Sequence, residues 1–230
     1  MSWIRIAFYF LSLDPKNSTY CNTFSPKNYL AMRCFELLEH KEWNTLLDYL
    51  STSQGKNELR NYQQQGLFLT HKKELFSAPV EVISSVAKAF PEGFKMQCSV
   101  NGDKCALHFA LENKYVNEDV IEELFEQKVG FPALTDSNGR IPLHIACISN
   151  LTRSHEIISL LLKKYKSGAS KRDELNSYLP IHYAVVNKTV KMETIKLILD
   201  ANARILVIDK QLLNEYFRGP YAFAYCSLLT

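Results

Sequence analysis

The chain contains no Cys-x-x-Cys pair, no glycine-rich phosphate loop, no nucleophile elbow and no apolar run long enough to cross a bilayer. Each absence removes a class of protein. Six scattered cysteines (Cys21, Cys34, Cys98, Cys105, Cys147 and Cys226) argue against a zinc ribbon or a small disulfide scaffold and fit reduced, buried thiols. The missing phosphate loop and elbow remove the common nucleotide-dependent enzymes and serine hydrolases. A transmembrane helix needs about 20 apolar residues, and nothing here approaches that. Charge of one sign is also lacking: 27 Lys and Arg against 24 Asp and Glu leave +3, too little to indicate a nucleic-acid binder. What remains is an ordinary folded-protein balance, 47% hydrophobic and 22% charged, on 230 residues that can hold one or two domains.

Against that plain background, three peptides say nearly the same thing. They are Ala106-Leu107-His108-Phe109-Ala110, Pro142-Leu143-His144-Ile145-Ala146 and Pro180-Ile181-His182-Tyr183-Ala184, and their histidines lie 36 and 38 residues apart. A period in the thirties signifies a stacked repeat protein, in which each unit buries its apolar face against its neighbours.

The central unit, 136–172, is the clearest. Asp136-Ser137-Asn138-Gly139-Arg140 is a turn sequence in which Gly139 is free to take a positive φ. Pro142 suits a first helical turn, where no amide hydrogen is needed, and Ala146 permits close helix approach. His155 to Lys164 carries Ile157, Ile158, Leu161 and Leu162 at helical spacing, with Lys163 and Lys164 in the last turn and Gly168 as the expected stop. Unit 173–209 repeats the plan, with Asp173 opening the turn, Pro180 starting the first helix, and Met192, Ile195, Ile198 and Leu199 on the second. Asn202 falls where a left-handed residue is expected. In unit 101–135, Asn101-Gly102-Asp103 makes the turn, and Val120, Ile121, Leu124 and Phe125 follow Asn117, a good N-cap residue.

A degenerate unit, about 66–100, precedes these. His71 keeps the period, 37 residues before His108, but Lys73 stands where the others have a small alanine, so its first helix must be degraded. Residues 25–65 read as a helical cap followed by a polar loop from 51, with Leu30, Cys34, Leu37 and Leu38 on one stripe and Trp43, Leu46, Leu47 and Leu50 on another. Residues 1–24 are irregular, with a faint signal-like stretch at 1–13 that lacks a clear cleavage site. Residues 210–230 have no Pro-Leu-His start and read as an atypical C-terminal cap.

The pattern resembles the ankyrin-repeat family in its turn, its Thr-Pro-Leu-His-x-Ala helix start and its paired helices. Gly139-Arg140-Ile141-Pro142-Leu143-His144 and Leu199-Asp200-Ala201-Asn202-Ala203 carry it most strongly. The chain departs where Cys105, Ile141 and Leu179 replace the threonine, so that residue's usual hydrogen bond cannot be carried over. The resemblance implies an all-α, ankyrin-like helical-hairpin solenoid with an N-terminal helical cap. It also implies that the repeated histidine is structural, tying a turn to adjacent backbone.

Two chemical readings compete with that. His71, His108, His144 and His182, with Cys105 and Cys147 nearby, suggest a metal. Stacked helices about 8–10 Å apart would space such histidines as a ladder, whereas zinc ligands converge at about 2.0–2.3 Å. No metal and no cofactor are therefore expected. Cys147, three residues after His144, suggests a nucleophile pair, but it falls at a position that the family fills with a small core residue. The basic cluster Lys163, Lys164, Lys166, Lys171 and Arg172 reads as a solvated helix end.

In the family the turn tips and the exposed sides of the first helices form a concave binding face. Carried over, this names Asn101, Lys104, Glu112 and Asn113 in one unit, Ser137, Asn138, Arg140, Ile148 and Ser149 in the next, and Asn176, Tyr178, Val186 and Asn187 in the last. Tyr178, Arg140 and Ile148 are the expected anchors, since aromatic residues and arginine supply much interface energy. The resemblance thus implies a non-catalytic, monomeric scaffold for a protein partner, neither binding nucleic acid nor spanning a membrane, in the cytoplasm or nucleus. A secreted or surface-associated binding protein or effector is the alternative if residues 1–13 are a cleaved signal. Asn17, Asn150 and Asn187 would then be its glycosylation triplets. A Cys147–His144 enzyme is the third class.

Overall fold

A computed structural model of the chain describes residues 33–61 and 69–202. These residues form two stacked rows of helices, with no β-strand among them beyond one isolated bridge between Cys98 and Lys104. The repeat unit is visible in the element order. A turn leads into a seven-residue helix opened by a buried histidine, and a short connection leads into a longer helix of 9–11 residues. The short helices are α6 (Ala106–Glu112), α8 (Pro142–Ile148) and α10 (Pro180–Val186), and they pack on one another in sequence. The long helices are α7 (Glu118–Glu126), α9 (Ser154–Lys164) and α11 (Met192–Ala201), and they form the second row. The whole is the all-α repeat solenoid that the period of the histidines implies.

The core lies between the rows. Ala110, Ala146 and Ala184, two residues after the histidines, are completely buried, which lets neighbouring short helices approach closely. Ile121, Leu124, Ile157, Ile158 and Ile198 fill the opposite side from the long helices. A β-carbon-sized residue here is as much a requirement as a large one elsewhere, because native interiors leave little room for added methylenes.

Two further pairs continue the stack toward the N-terminus. In 69–100 the inner element is two 3₁₀ segments, Leu69–His71 and Lys73–Ser77, where the other units have an α-helix; the outer row continues in α4 (Val80–Ala89), which packs against α7. A short α5 (Pro91–Lys95) follows. Then α1 (Arg33–Glu39) and α2 (Trp43–Ser51) cap the end, α1 meeting the second 3₁₀ segment and α2 meeting α4. The outer row thus runs α2, α4, α7, α9, α11.

The structure differs from the sequence reading at several points. Residues 53–61, read as polar loop, form helix α3 (Ser53–Asn61). Thr52 caps it by accepting the Gly55 amide on its hydroxyl at 3.0 Å, Leu59 is buried, and Gly55 fits closely against the Tyr49 carbonyl, where a Cβ would lie only 2.1 Å from the oxygen. Gly168 does not end α9 in a left-handed turn. It lies in a 3₁₀ turn, Lys166–Ser170, where a side chain would meet Tyr165 and Ile141 at 2.9 and 3.0 Å. Asn202 has φ −140° and ψ 72°, not the left-handed conformation. Asn117 occupies the N-cap position, but its amide goes to Asp119 rather than to the helix. The readings of 1–24, of Leu30 at the start of the helical cap, of the start of the degenerate unit at 66–68 and of the tail beyond 202 lie outside the described residues.

Candidate functional site

The turns that precede the short helices are built by buried aspartates. Asp136 Oδ1 accepts the amides of Asn138 and Arg140, both at 2.9 Å; Asp173 Oδ1 accepts those of Asn176 and Tyr178 at 2.7 and 3.3 Å. Burial alone would raise the carboxyl of Asp173. The Tyr183 hydroxyl on its other oxygen and the two amides outweigh that and hold it below the usual carboxylate range. Successive turns are zipped together by backbone: Ser137 N–H donates to Gly102 O, and Glu174 N–H to Asn138 O, each at 2.8 Å. Gly102 and Gly139, at φ 74° and 70°, supply the left-handed residues this needs. A Cβ on Gly139 would meet the Glu174 amide nitrogen at 2.7 Å.

The histidines form the second zipper. In His144, Nδ1 accepts the Ile141 amide at 3.2 Å while Nε2–H donates to the Tyr178 carbonyl of the next turn at 3.1 Å. His108 does the same between the Cys105 amide and the Arg140 carbonyl, at 3.3 and 2.9 Å. His182 Nδ1 accepts the Leu179 amide at 2.8 Å, and His71 Nε2 reaches Met96 O at 2.9 Å. Each ring with a pair of bonds caps its own helix and grips its neighbour. Burial pulls the pKa of His71, His108 and His144 below the ordinary histidine value, and the carbonyl bonds oppose this only in part.

Neither chemical reading fits this arrangement. Both nitrogens of His144 are engaged, so it is not placed as a base toward Cys147, which is fully buried with its thiol pushed well above the ordinary range by burial. Cys105 Sγ contacts His108 Nδ1 at 3.0 Å, but it too is fully buried, and burial raises its thiol. Among the described residues no three His, Cys, Asp or Glu converge as metal ligands, and no helix is long and apolar enough to cross a membrane.

The thirteen candidate surface residues fall into two sets. Some are held by the stack. Asn187 Nδ2 donates to the carbonyls of Cys147, Ile148 and Ser149 at 2.9, 3.2 and 3.0 Å; Asn113 Nδ2 donates to Lys73 O and Ser77 Oγ at 3.0 and 2.9 Å. Asn187 thus ties α10 to the carbonyl end of α8, and Asn113 ties the end of α6 to the 3₁₀ segment Lys73–Ser77. Arg140, expected as an anchor, lies over the Tyr183 ring at 5.4 Å, donates to its hydroxyl at 3.3 Å, and has Nε 3.9 Å from Asp173. Tyr178, the other polar anchor, packs on His182 and Tyr183 at ring distances of 5.4 and 5.7 Å. Asn138 and Ser149 are half-buried, and both lend a backbone oxygen to the next unit.

The second set faces outward. Asn101, Ser137 and Asn176 are exposed at the turns. Glu112, Ile148 and Val186 occupy one position, four residues after the histidine, in three consecutive units; Ile148 is 38% and Val186 62% exposed. Lys104 and Lys73 both pair with Glu112, at 2.5 and 3.0 Å. Burial alone would raise the Glu112 carboxyl, but the two ammonium groups hold it below the usual range. They sit in an open depression of about 480 Å³, lined also by His71, Lys72, Glu74, Asn101 and Phe109, at the unit whose inner helix is replaced by 3₁₀ turns. Sequence reasoning had no reason to single out Lys73 as a surface group, because a lysine at an alanine position reads as damage to a helix rather than as a side chain for a groove.

A family model described as ankyrin repeats (3 copies) matches residues 83–174 and 107–209, which together span more than half of the chain. No curated protein matches it.

Proposed function

The chain belongs to the ankyrin-repeat family, and from that premise we propose that it is a non-catalytic scaffold that binds another protein through the concave face of its stack. Ankyrin repeats are in general protein-interaction modules. The observation that carries the reading for this chain is the row Glu112, Ile148 and Val186, one side chain per unit at the same position on the short helices. Two of these are apolar yet exposed. Apolar side chains 38% and 62% exposed at the same position of successive helices make an apolar strip bordered by polar turns, the usual composition of a contact surface. The binding set is Asn101, Lys104, Glu112, Ser137, Ile148, Asn176 and Val186, with Asn113, Asn138, Arg140, Ser149, Tyr178 and Asn187 shaping the surface from beneath. The partner is a protein, and the scaffold acts as a monomer in the cytoplasm or nucleus.

Affinity capture with quantitative mass spectrometry tests this. Wild type is compared with Ile148→Asp/Val186→Asp and with Glu122→Lys/Lys163→Glu, whose residues are exposed on α7 and α9 of the other row. A partner lost only with the first variant, both remaining folded by circular dichroism, supports the concave face. Loss with the second alone would move the site to the other row.

A further inference from the structure

We infer that the depression at the degenerate unit takes an acidic side chain of the partner, Asp or Glu, as the charged end of an extended segment whose apolar residues lie on Ile148 and Val186. This rests on the concave-face reading and specifies the partner's chemistry.

The electrostatics supply the first half. Glu112 places a single carboxylate between two ammonium groups, Lys73 at 3.0 Å and Lys104 at 2.5 Å. Lys72, whose ammonium lies 5.4 Å over the Phe35 ring, and Glu74 also line the depression, which makes three cations against two carboxylates. Lys73 remains 53% exposed and Lys104 26%, and an ammonium group carries three donors, more than the contact with Glu112 uses. Glu112 orients the pair in advance, and a second carboxylate entering the mouth would complete an alternating cluster. A carboxylate there is favoured over a neutral or cationic side chain by charge complementarity, which governs specificity more than affinity.

The repeat geometry supplies the second half. Glu112, Ile148 and Val186 are equivalent positions on adjacent short helices. Packed helices lie about 8–10 Å apart, and an extended chain advances about 3.3 Å per residue. One unit therefore corresponds to about three residues of ligand. The segment carries an acid, then an apolar residue about three positions away, then another about three beyond that.

The test is selection of random 12-residue peptides, displayed on phage, against the full chain. Enriched peptides are synthesised and measured by fluorescence anisotropy against wild type, Lys73→Glu/Lys104→Glu, the milder Lys73→Gln, and Ile148→Asp/Val186→Asp, each checked for helicity. The expected peptides hold an Asp or Glu followed or preceded at about three-residue steps by apolar residues. They lose at least ~10-fold in affinity with the charge-reversed pair and a smaller factor with Lys73→Gln. Replacing their acid by Lys restores affinity for the charge-reversed pair. Peptides that are sensitive to Ile148→Asp/Val186→Asp but indifferent to both lysine variants would overturn the acidic pocket and leave the concave-face reading standing. Peptides indifferent to every one of these variants, or no enrichment on folded protein, would overturn both.

Discussion

Replacing His144 by alanine removes one of the contacts that join units 136–172 and 173–209, and its cost can be worked from the bonds it breaks. The ring is completely buried. Its Nε2–H bond to Tyr178 O is lost, but that carbonyl keeps the Asp173 amide at 2.9 Å, so only the net worth of one bond goes, about 1 kcal/mol. The Ile141 amide loses Nδ1, its acceptor at 3.2 Å, in a buried setting, for about 1–3 kcal/mol. The vacated ring volume and the lost edge contact with Tyr183, now at 6.0 Å, add about 1 kcal/mol. The sum is about 3–5 kcal/mol. Because the bond spans an interface in a one-dimensional stack, the damage is local: α10 and α11 should lose amide protection before α6 to α9 do. Urea unfolding followed at 222 nm at pH 7.5 gives the magnitude, and hydrogen exchange gives the place. A loss below about 1 kcal/mol, or uniform loss of protection along the stack, would refute the reasoning.

Other outcomes follow from the same contacts. Below pH 6.5 the chain should lose stability as pH falls, because His71, His108 and His144 have folded pKa values below the unfolded value of 6.5 and the unfolded state binds the protons. The limiting slope is about 1.4 kcal/mol per pH unit per histidine; the depressed carboxyls of Glu112 and Asp173 contribute only further down, below their ordinary values of 4.5 and 3.8. Thermal melts between pH 7.5 and 5 check this, and His144→Gln should shallow the slope by one histidine's share. Gly139→Ala combines a left-handed residue with a close approach to Glu174, and should cost at least about 1–2 kcal/mol in urea unfolding, against near neutrality for Ser137→Ala. Cys147 should react with Ellman's reagent no faster than the protein opens, so rapid labelling of the native chain would contradict its burial. Asn187→Ala should cost about 2–3 kcal/mol by leaving three helix-end carbonyls short of a donor, whereas Asn150→Ala, exposed, should be near neutral.

The repeat was legible because its constraints are local and recur: an aspartate that folds a turn on itself, a histidine as the third residue of the helix, an alanine two residues further. What lay hidden depends on neighbours. Ser53–Asn61 is nearly all polar, and its helix follows from Thr52 as a cap and from Leu59 finding the cap's core. Gly168 is not the stop of α9, whose C-cap is Tyr165, whereas Asn202 does end α11; the two end residues have φ near −146° and −140° rather than a left-handed value. On the surface, the family pattern names candidate positions but not which of them the stack itself employs. Arg140, Tyr178, Asn113 and Asn187 are good interface residue types; the tertiary structure uses Arg140, Asn113 and Asn187 to hold adjacent units in register, while Tyr178 packs on His182 and Tyr183 of its own unit.

The most direct test of the binding face is a photo-crosslinking residue, p-benzoylphenylalanine, placed in turn at Ile148, Val186 and, on the other row, Glu122 and Lys163. If the concave face is the working surface, one partner crosslinks in cell lysate at Ile148 and Val186 and not at Glu122 or Lys163. A partner crosslinked at Glu122 or Lys163 and absent from both concave positions would contradict it.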